Sequence, residues 1–204
     1  MDERISNLIE NLKKNRFGAY YVEKKEDVVP FIKQFLKEGE KVGRGGSITL
    51  KETGVIDYIE SDKFDFRDFY SAKTPEEQQE ALYYRFFCDT FFTSSNEVPM
   101  DGSLYNVDGI CSRVAPLVCG PKQVIVVVGI NKIVDTLEDA DKRVKTIAAP
   151  LNAKRLSTKT PCAVDGVCHN CKSEQRICCS TVITNYNRIL ERIKVVIVGE
   201  NLGY

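Results

Sequence analysis

Residues 123–132, QVIVVVGINK, set five β-branched side chains in a row from Val124 to Val128 and then stop at Gly129. Strand side chains alternate between two faces, so an unbroken valine and isoleucine run is apolar on both. Such a strand belongs inside a parallel sheet covered on each side by helices. The stretch IKVVIVGE, residues 193–200, repeats the signature near the C-terminus.

The rest of the chain alternates in the way that sheet needs. Residues 2–16 space Ile5, Leu8, Ile9 and Leu12 as one helical face, and FGAYYVE follows as a short strand. DVVPFIKQFLKEG is amphipathic and reaches Gly39, a plausible helix stop. KVGRGG reads as strand and turn, SITLKETGVIDYIES as helix and FDFRDFY as a further strand. PEEQQEALYYRFFC opens with proline and acids as a helix start does, DTFFTSSNE reads as strand and loop, and LEDADKRVKTIAA as a helix. The fold class is α/β, a mostly parallel sheet with helices on both faces. Residues 1–204 form one domain, with 1–38 as a helix-and-strand lead-in and 159–187 as a cysteine-rich insertion lacking sustained periodicity.

Lysine plus arginine equals aspartate plus glutamate, 29 against 29, which argues against nucleic acid or an anionic membrane as partner. The charged N-terminus reads as no secretory signal, and no apolar run is long enough for a bilayer. The expected compartment is the cytoplasm, where clustered thiols point to metal or redox chemistry rather than disulfides.

Parallel sheets bind ligands beyond the carboxyl ends of their strands, so the strand-to-helix turns are the candidate sites. The first holds Gly43, Arg44, Gly45, Gly46, Ser47 and Thr49, where glycine permits close backbone approach and free amides attract an anion. Thr49 and Glu52 fit a capping box, and no Gly-Lys-Ser/Thr follows to make a P-loop. The second, residues 94–122, carries Asn96, Asp101 and Arg113 amid turn residues. Arg113 sits beside Val114, Ala115, Pro116 and Leu117, which predicts a carboxylate or phosphate partner. The third holds Asn131 and Lys132. The plain alternatives are a tight turn, hairpin chemistry and a solvated lysine. With His169 the one histidine, schemes needing two imidazoles are excluded.

The insertion spaces its thiols as Cys162-x5-Cys168-x2-Cys171-x6-Cys178, with Cys179 next. A Cys-x2-Cys core lets two thiolates reach one metal, and four ligands close a site. The spacing is neutral between structural zinc and an iron–sulfur cluster, since both accept four thiolates. Cys88, Cys111 and Cys119 stand singly beside apolar residues, as packed thiols do.

Taken in order, GRGGSITLKETG, SSNEVPMDGSLYNVDGICSRVAPLVCGPKQVIVVVGINKIV, RVKTIAAPLNAKRL, PCAVDGVCHNCKSEQRIC and VVIVGENLGY resemble the LUD-domain family, the lactate-utilization protein C or YkgG-like proteins. Asn96, Asp101, Gly102, Arg113, Gly120, Pro121, Asn131 and Lys132 stand in register with it, while Ser94-Ser95-Asn96 and Cys111-Ser112-Arg113 depart from its usual pattern. The resemblance implies a fold similar to the ribose-5-phosphate isomerase, glucosamine-phosphate deaminase and CoA-transferase group (NagB/RpiA/CoA-transferase-like). It implies a role beside iron–sulfur lactate-oxidation subunits in taking L-lactate to pyruvate, and supplies no catalytic residue. That setting turns the metal expectation toward an iron–sulfur cluster, [4Fe–4S], with zinc as alternative. The first functional expectation is therefore an accessory or electron-transfer component of lactate utilization. The second is a transferase or isomerase binding a phosphorylated or CoA ligand, an anionic small molecule, with Glu52, Glu97 or Glu200 as carboxylate.

Overall fold

The computed structural model describes residues 2–69 and 71–204. In chain order the elements are α1 (Glu3–Lys14), β1 (Gly18–Val22), α2 (Val28–Ile32), β2 (Lys41–Arg44), α3 (Ile48–Glu52), α4 (Val55–Ile59), β3 (Asp65–Phe66), α5 (Pro75–Phe87), β4 (Thr90–Thr93), β5 (Val98–Pro99), β6 (Leu104–Asp108), α6 (Val114–Val118), β7 (Gln123–Gly129), β8 (Ile133–Val134), α7 (Leu137–Arg143), α8 (Ala149–Arg155), α9 (Pro161–Asp165), β9 (Ser180–Thr184) and β10 (Ile193–Val198). The main sheet runs β1-β10-β7-β4-β2-β3 with every pairing parallel.

The valine run lies at the centre of this sheet and serves both faces. Val124, Val126 and Val128 join Val195 and Ile197 in a core closed by Leu8 and Leu12 of α1 and Leu117 of α6. Ile125 and Val127 point the other way, with Val196 and Val198, against Ile32 of α2, Leu50 of α3 and Ile59 of α4. Alternation of one sequence run into two cores is the pattern expected of a strand covered on both sides.

Three expectations change in detail. The helix expected over SITLKETGVIDYIES is two short helices separated at Gly54, whose φ of 70° lies in the left-handed region. The strand expected over FDFRDFY shrinks to Asp65–Phe66, and its last residue, Tyr70, lies outside the described residues. The helix expected over LEDADKRVKTIAA continues through a π-helical turn at Val144–Ala148 into α8. That turn precedes Pro150, whose nitrogen cannot donate to the ladder, so the wider turn absorbs the break.

The insertion is not structureless. It begins with α9, packed on α8, and ends with β9, which pairs antiparallel with β6 from Leu104↔Thr184 to Asp108↔Ser180. β9 has alternating exposure, and its apolar content is too small to read as a strand from period alone. A satellite core of Tyr105, Val134, Ala140 and Val144 supports this layer beside the main sheet.

Candidate functional site

From β2 the chain crosses to β3 on one side, whereas from β4 it proceeds to β7 and β10 on the other. Adjacent strands whose connections depart in opposite directions leave a crevice beyond their carboxyl ends, where α/β sheets bind ligands. A cavity of about 330 Å³ occupies that place. Gly46, Ser47 and Thr49 line it after β2, Ser94 to Asn96 after β4, and Lys132 after β7. Further wall comes from Val107 to Ile110 and Arg113 at and after the end of β6, Asn152 and Arg155 of α8, Arg176 and Ile177 of the cysteine segment, and Gly203 and Tyr204.

Lys132 is the most consequential residue of the cleft. It closes a 3₁₀ turn, Ile130–Lys132, directly after the central strand, and only 4% of its surface is exposed. Its Nζ donates to Ser94 Oγ at 3.2 Å and Ser95 O at 3.4 Å, and among the described residues it forms no ion pair. Burial, then the neighbouring Arg113 cation, push its amine down from the usual lysine range to about 8. Glu97 lies in the same interior at 0% exposure, but its Oε1 accepts from Arg143 Nη1 at 2.7 Å. Among the described residues Glu97 Oε2 has no hydrogen-bond partner, and burial raises the carboxyl to about 7 against the lowering pull of Arg143 and Lys132.

Arg113 lines the cavity and is at the same time a clamp. Its Nη1 donates to Ser94 O at 3.0 Å and to Asn106 Oδ1, and its Nη2 donates to Asn96 Oδ1 at 2.8 Å and Val107 O at 2.9 Å. Asp108 Oδ2 accepts from the Arg113 backbone N–H and lies 3.7 Å from Nε. A planar five-donor group thus ties the β4 loop to the end of β6. The carboxylate partner expected for Arg113 is Asp108, joined by carbonyl and amide oxygens.

Of the first-turn residues, Gly46, Ser47 and Thr49 reach the cleft wall, while Gly43, Arg44 and Gly45 serve packing. Arg44 turns to Glu60 and Asp68 and over the Phe66 ring. A Cβ on Gly45 would stand 2.8 Å from Arg113 Cγ, so this glycine admits the clamp's stem rather than a ligand. Ser47 Oγ caps α3 by accepting from Leu50 N, in place of the Thr49–Glu52 box. Glu52 instead accepts from Gly203 N at 2.7 Å. Asp101 accepts from Ser103 N and Oγ within its own turn, away from the cleft. Asn131 Oδ1 accepts from Leu202 N and so fixes the C-terminal segment that walls the cavity. Glu200 Oε1 accepts from Lys25 N, outside the wall.

A family model described as the LUD domain matches residues 5–198. The chain belongs to the LUD-domain family. A DUF162 family protein from Deinococcus radiodurans, solved by crystallography, superposes with a TM-score of 0.53 over 97% of each chain at 13% identity, a likeness of fold. No curated protein sequence matches the chain.

In this LUD domain Cys162, Cys168, Cys171 and Cys178 all line one small cavity of about 20 Å³, with Thr160, His169 and Arg176. The segment is organised by Arg176, whose Nη1 donates to Cys171 O at 2.7 Å and whose Nε donates to Cys178 O at 2.8 Å. All eight cysteines are free thiols. Burial raises the Cys178 thiol, and Arg176 opposes it. Cys179 is exposed and stands outside the cavity wall, and His169 pairs with Asp165. The donor chemistry suits a thiophilic metal, but among the described residues no group of three or more His, Cys, Asp or Glu side chains is placed to hold one. Among the same residues no helix of the LUD domain is long and apolar enough to cross a membrane.

Ser94, Ser95, Asn152, Arg155, Arg176 and Tyr204 went unread as site residues in the sequence. Arg155 and Arg176 resemble ordinary surface cations there, and only the packing of α8 and the cysteine segment over the strand ends brings them to the cleft.

Proposed function

We propose that this LUD domain binds a small organic anion in the cleft, with Lys132 as the floor contact, and acts by that means within lactate utilization, the process with which LUD domains are associated. The observation that carries the reading is a buried ammonium, 4% exposed, with no carboxylate partner among the described residues at the bottom of an open cavity. A charge taken from water without a counter-charge costs free energy, which an anionic ligand would recover. Arg155 adds a second cation at the wall, held by Asn152 and Tyr204 rather than by an acid. About 330 Å³ is near the lower limit for ligand pockets and suits a compound of a few carbons. A CoA ligand would leave most of itself outside, so the transferase alternative narrows to small phosphorylated or carboxylated compounds. Calorimetric titration with lactate, pyruvate and inorganic phosphate tests the reading. At least one should bind, and Lys132→Met should weaken it at least tenfold; equal binding by both proteins rejects it.

A second reading concerns the cysteine cavity, favoured by the convergence of four thiols on one small space. Cys162, Cys168, Cys171 and Cys178 would hold a metal after drawing closer than they stand here. A cavity of about 20 Å³ has room for one water-sized guest. That size favours a single ion such as zinc over an iron–sulfur cluster, and it leaves open a docking role beside iron–sulfur subunits. Elemental analysis and the visible spectrum of anaerobically purified protein decide it; absence of both zinc and iron rejects a metal.

A further inference from the structure

We propose that Lys132 is a nucleophilic lysine whose Nζ forms an imine with a small carbonyl compound carrying an anionic group. The inference rests on the cleft being an anion site and adds covalent chemistry to it.

A lysine that serves only the fold commonly pairs with a carboxylate or reaches solvent with its amine. Among the described residues Lys132 does neither. Its amine faces the cavity with one hydroxyl and one carbonyl as partners, at 3.2 and 3.4 Å. Of the nearby acids, Glu97 bonds Arg143 through Oε1 and Glu52 bonds Gly203 N, and neither forms an ion pair with Lys132 among the described residues. The charged groups acting on it are Glu97, Glu52, Arg113 and Arg143, two acids against two cations. With burial added, the amine is lowered to about 8, so it stays mostly protonated at neutral pH but has a usable unprotonated fraction. The turn holding it follows the central strand, so the stem is anchored by the most buried part of the sheet.

The chemistry balances without a redox partner. The Nζ lone pair forms a C–N bond to the carbonyl carbon while the C=O π pair moves to oxygen. That oxygen takes up the proton lost by nitrogen, giving a carbinolamine. The C–O bond then breaks, the hydroxyl leaves as water carrying the second proton of the amine, and the nitrogen lone pair completes the imine. Ser94 Oγ lies 3.2 Å from Nζ, within reach to relay a proton. The ligand's anionic group has Arg155 at the wall to meet it. A carboxylate or a phosphate satisfies that requirement equally, and the test separates them.

The full chain is incubated with pyruvate, with glyceraldehyde 3-phosphate or with neutral propanal, reduced with borohydride, and mapped by peptide mass. Expected is an irreversible adduct on Lys132 with one or both anionic carbonyl compounds, at least tenfold above propanal and increasing as pH rises toward 9. Lys132→Arg, which keeps a cation but has no nucleophilic amine, should lose that adduct. The wild-type map stands by itself should that variant fail to fold. No adduct on Lys132, or labelling there no greater than at Lys122, which is 83% exposed, overturns the imine. If the same protein still binds anions by calorimetry, only the imine falls; if it binds none, the anion reading falls with it.

Discussion

The cleft and the cysteine cavity share Arg176 and Ile177 as a common wall, and each is organised by one arginine, but the reactive groups of the two are tied to different degrees. In the cleft, Arg113 joins two loops through side-chain bonds to Ser94, Asn96, Asn106 and Val107, so the wall is formed before any ligand arrives. Around the cysteine cavity Arg176 holds two backbone carbonyls and Asn170 Oδ1, and the thiols have few ties: Cys162 meets Thr160 Oγ1 at 3.5 Å and Cys178 feels the Arg176 cation. Preorganised polar walls suit selective binding of a small molecule, whereas weakly tied thiols remain available for metal or oxidation. The difference teaches that density of reactive residues in sequence is a poor guide to how finished a site is.

The comparison breaks most visibly at the clamp. Arg113→Ala should cost about 3–5 kcal/mol, because it strips the partners from several buried oxygens at once. Urea denaturation should show it as a lower midpoint; a loss below about 1 kcal/mol would mean the wall is not held by Arg113. Lys132→Met should do the reverse, raising stability by roughly 1–3 kcal/mol at pH 7 while removing anion binding. The sign follows from the amine's fall from 10.5 to about 8 on folding. The unfolded chain binds more protons between those values, so wild-type stability rises with pH there and the variant's advantage shrinks above about 8. An advantage that does not change between pH 7 and 10.5 would remove the burial argument.

Glu97 sharpens the same region at lower amplitude. Its carboxyl rises from 4.5 to about 7 on folding, so the native state binds more protons in that window and stability falls as pH increases through it. Glu97→Gln should flatten that slope, by roughly 2 kcal/mol across the window. Identical pH profiles for the two proteins would contradict it. The smallest effect belongs to the other cavity. In metal-free protein Cys168→Ser and Cys171→Ser should each shift stability by less than about 0.5 kcal/mol, since neither thiol is buried in a core. Cys88→Ser, inside the main core, should cost about 1 kcal/mol more than either. Equal losses for all three would show that the cysteine segment is built into the fold as firmly as the sheet.

Much of the fold was legible because its signals are local. Val124–Val128 and Ile193–Val198 are read as buried strands from their own residues, and Pro75 with its following acids marks the α5 start, which the structure closes with a capping box from Thr74. Weak local signals failed for the same reason. β9 has too few apolar residues to declare itself, and only its pairing with β6 makes it a strand. In the site, Lys132 was legible as a residue following the central strand, but its burial was not. Arg44 beside three glycines read as a candidate anion contact, yet Glu60 and Asp68, brought by the α4 and β3 region, pair with it.

By itself the sequence determined the α/β class, the two central strands, the segment that concentrates thiols and the family to which the chain belongs, because each is written in contiguous residue types and spacings. Only the tertiary structure decided which cations are free to meet a ligand. Charge neutralisation depends on partners distant in the chain: Asp108 and the loop oxygens occupy Arg113, Glu97 occupies Arg143, and no acid reaches Lys132 among the described residues. An arginine and a lysine one turn from a strand end look alike in sequence, and the dielectric and counter-charge around each exist only once the layers have packed.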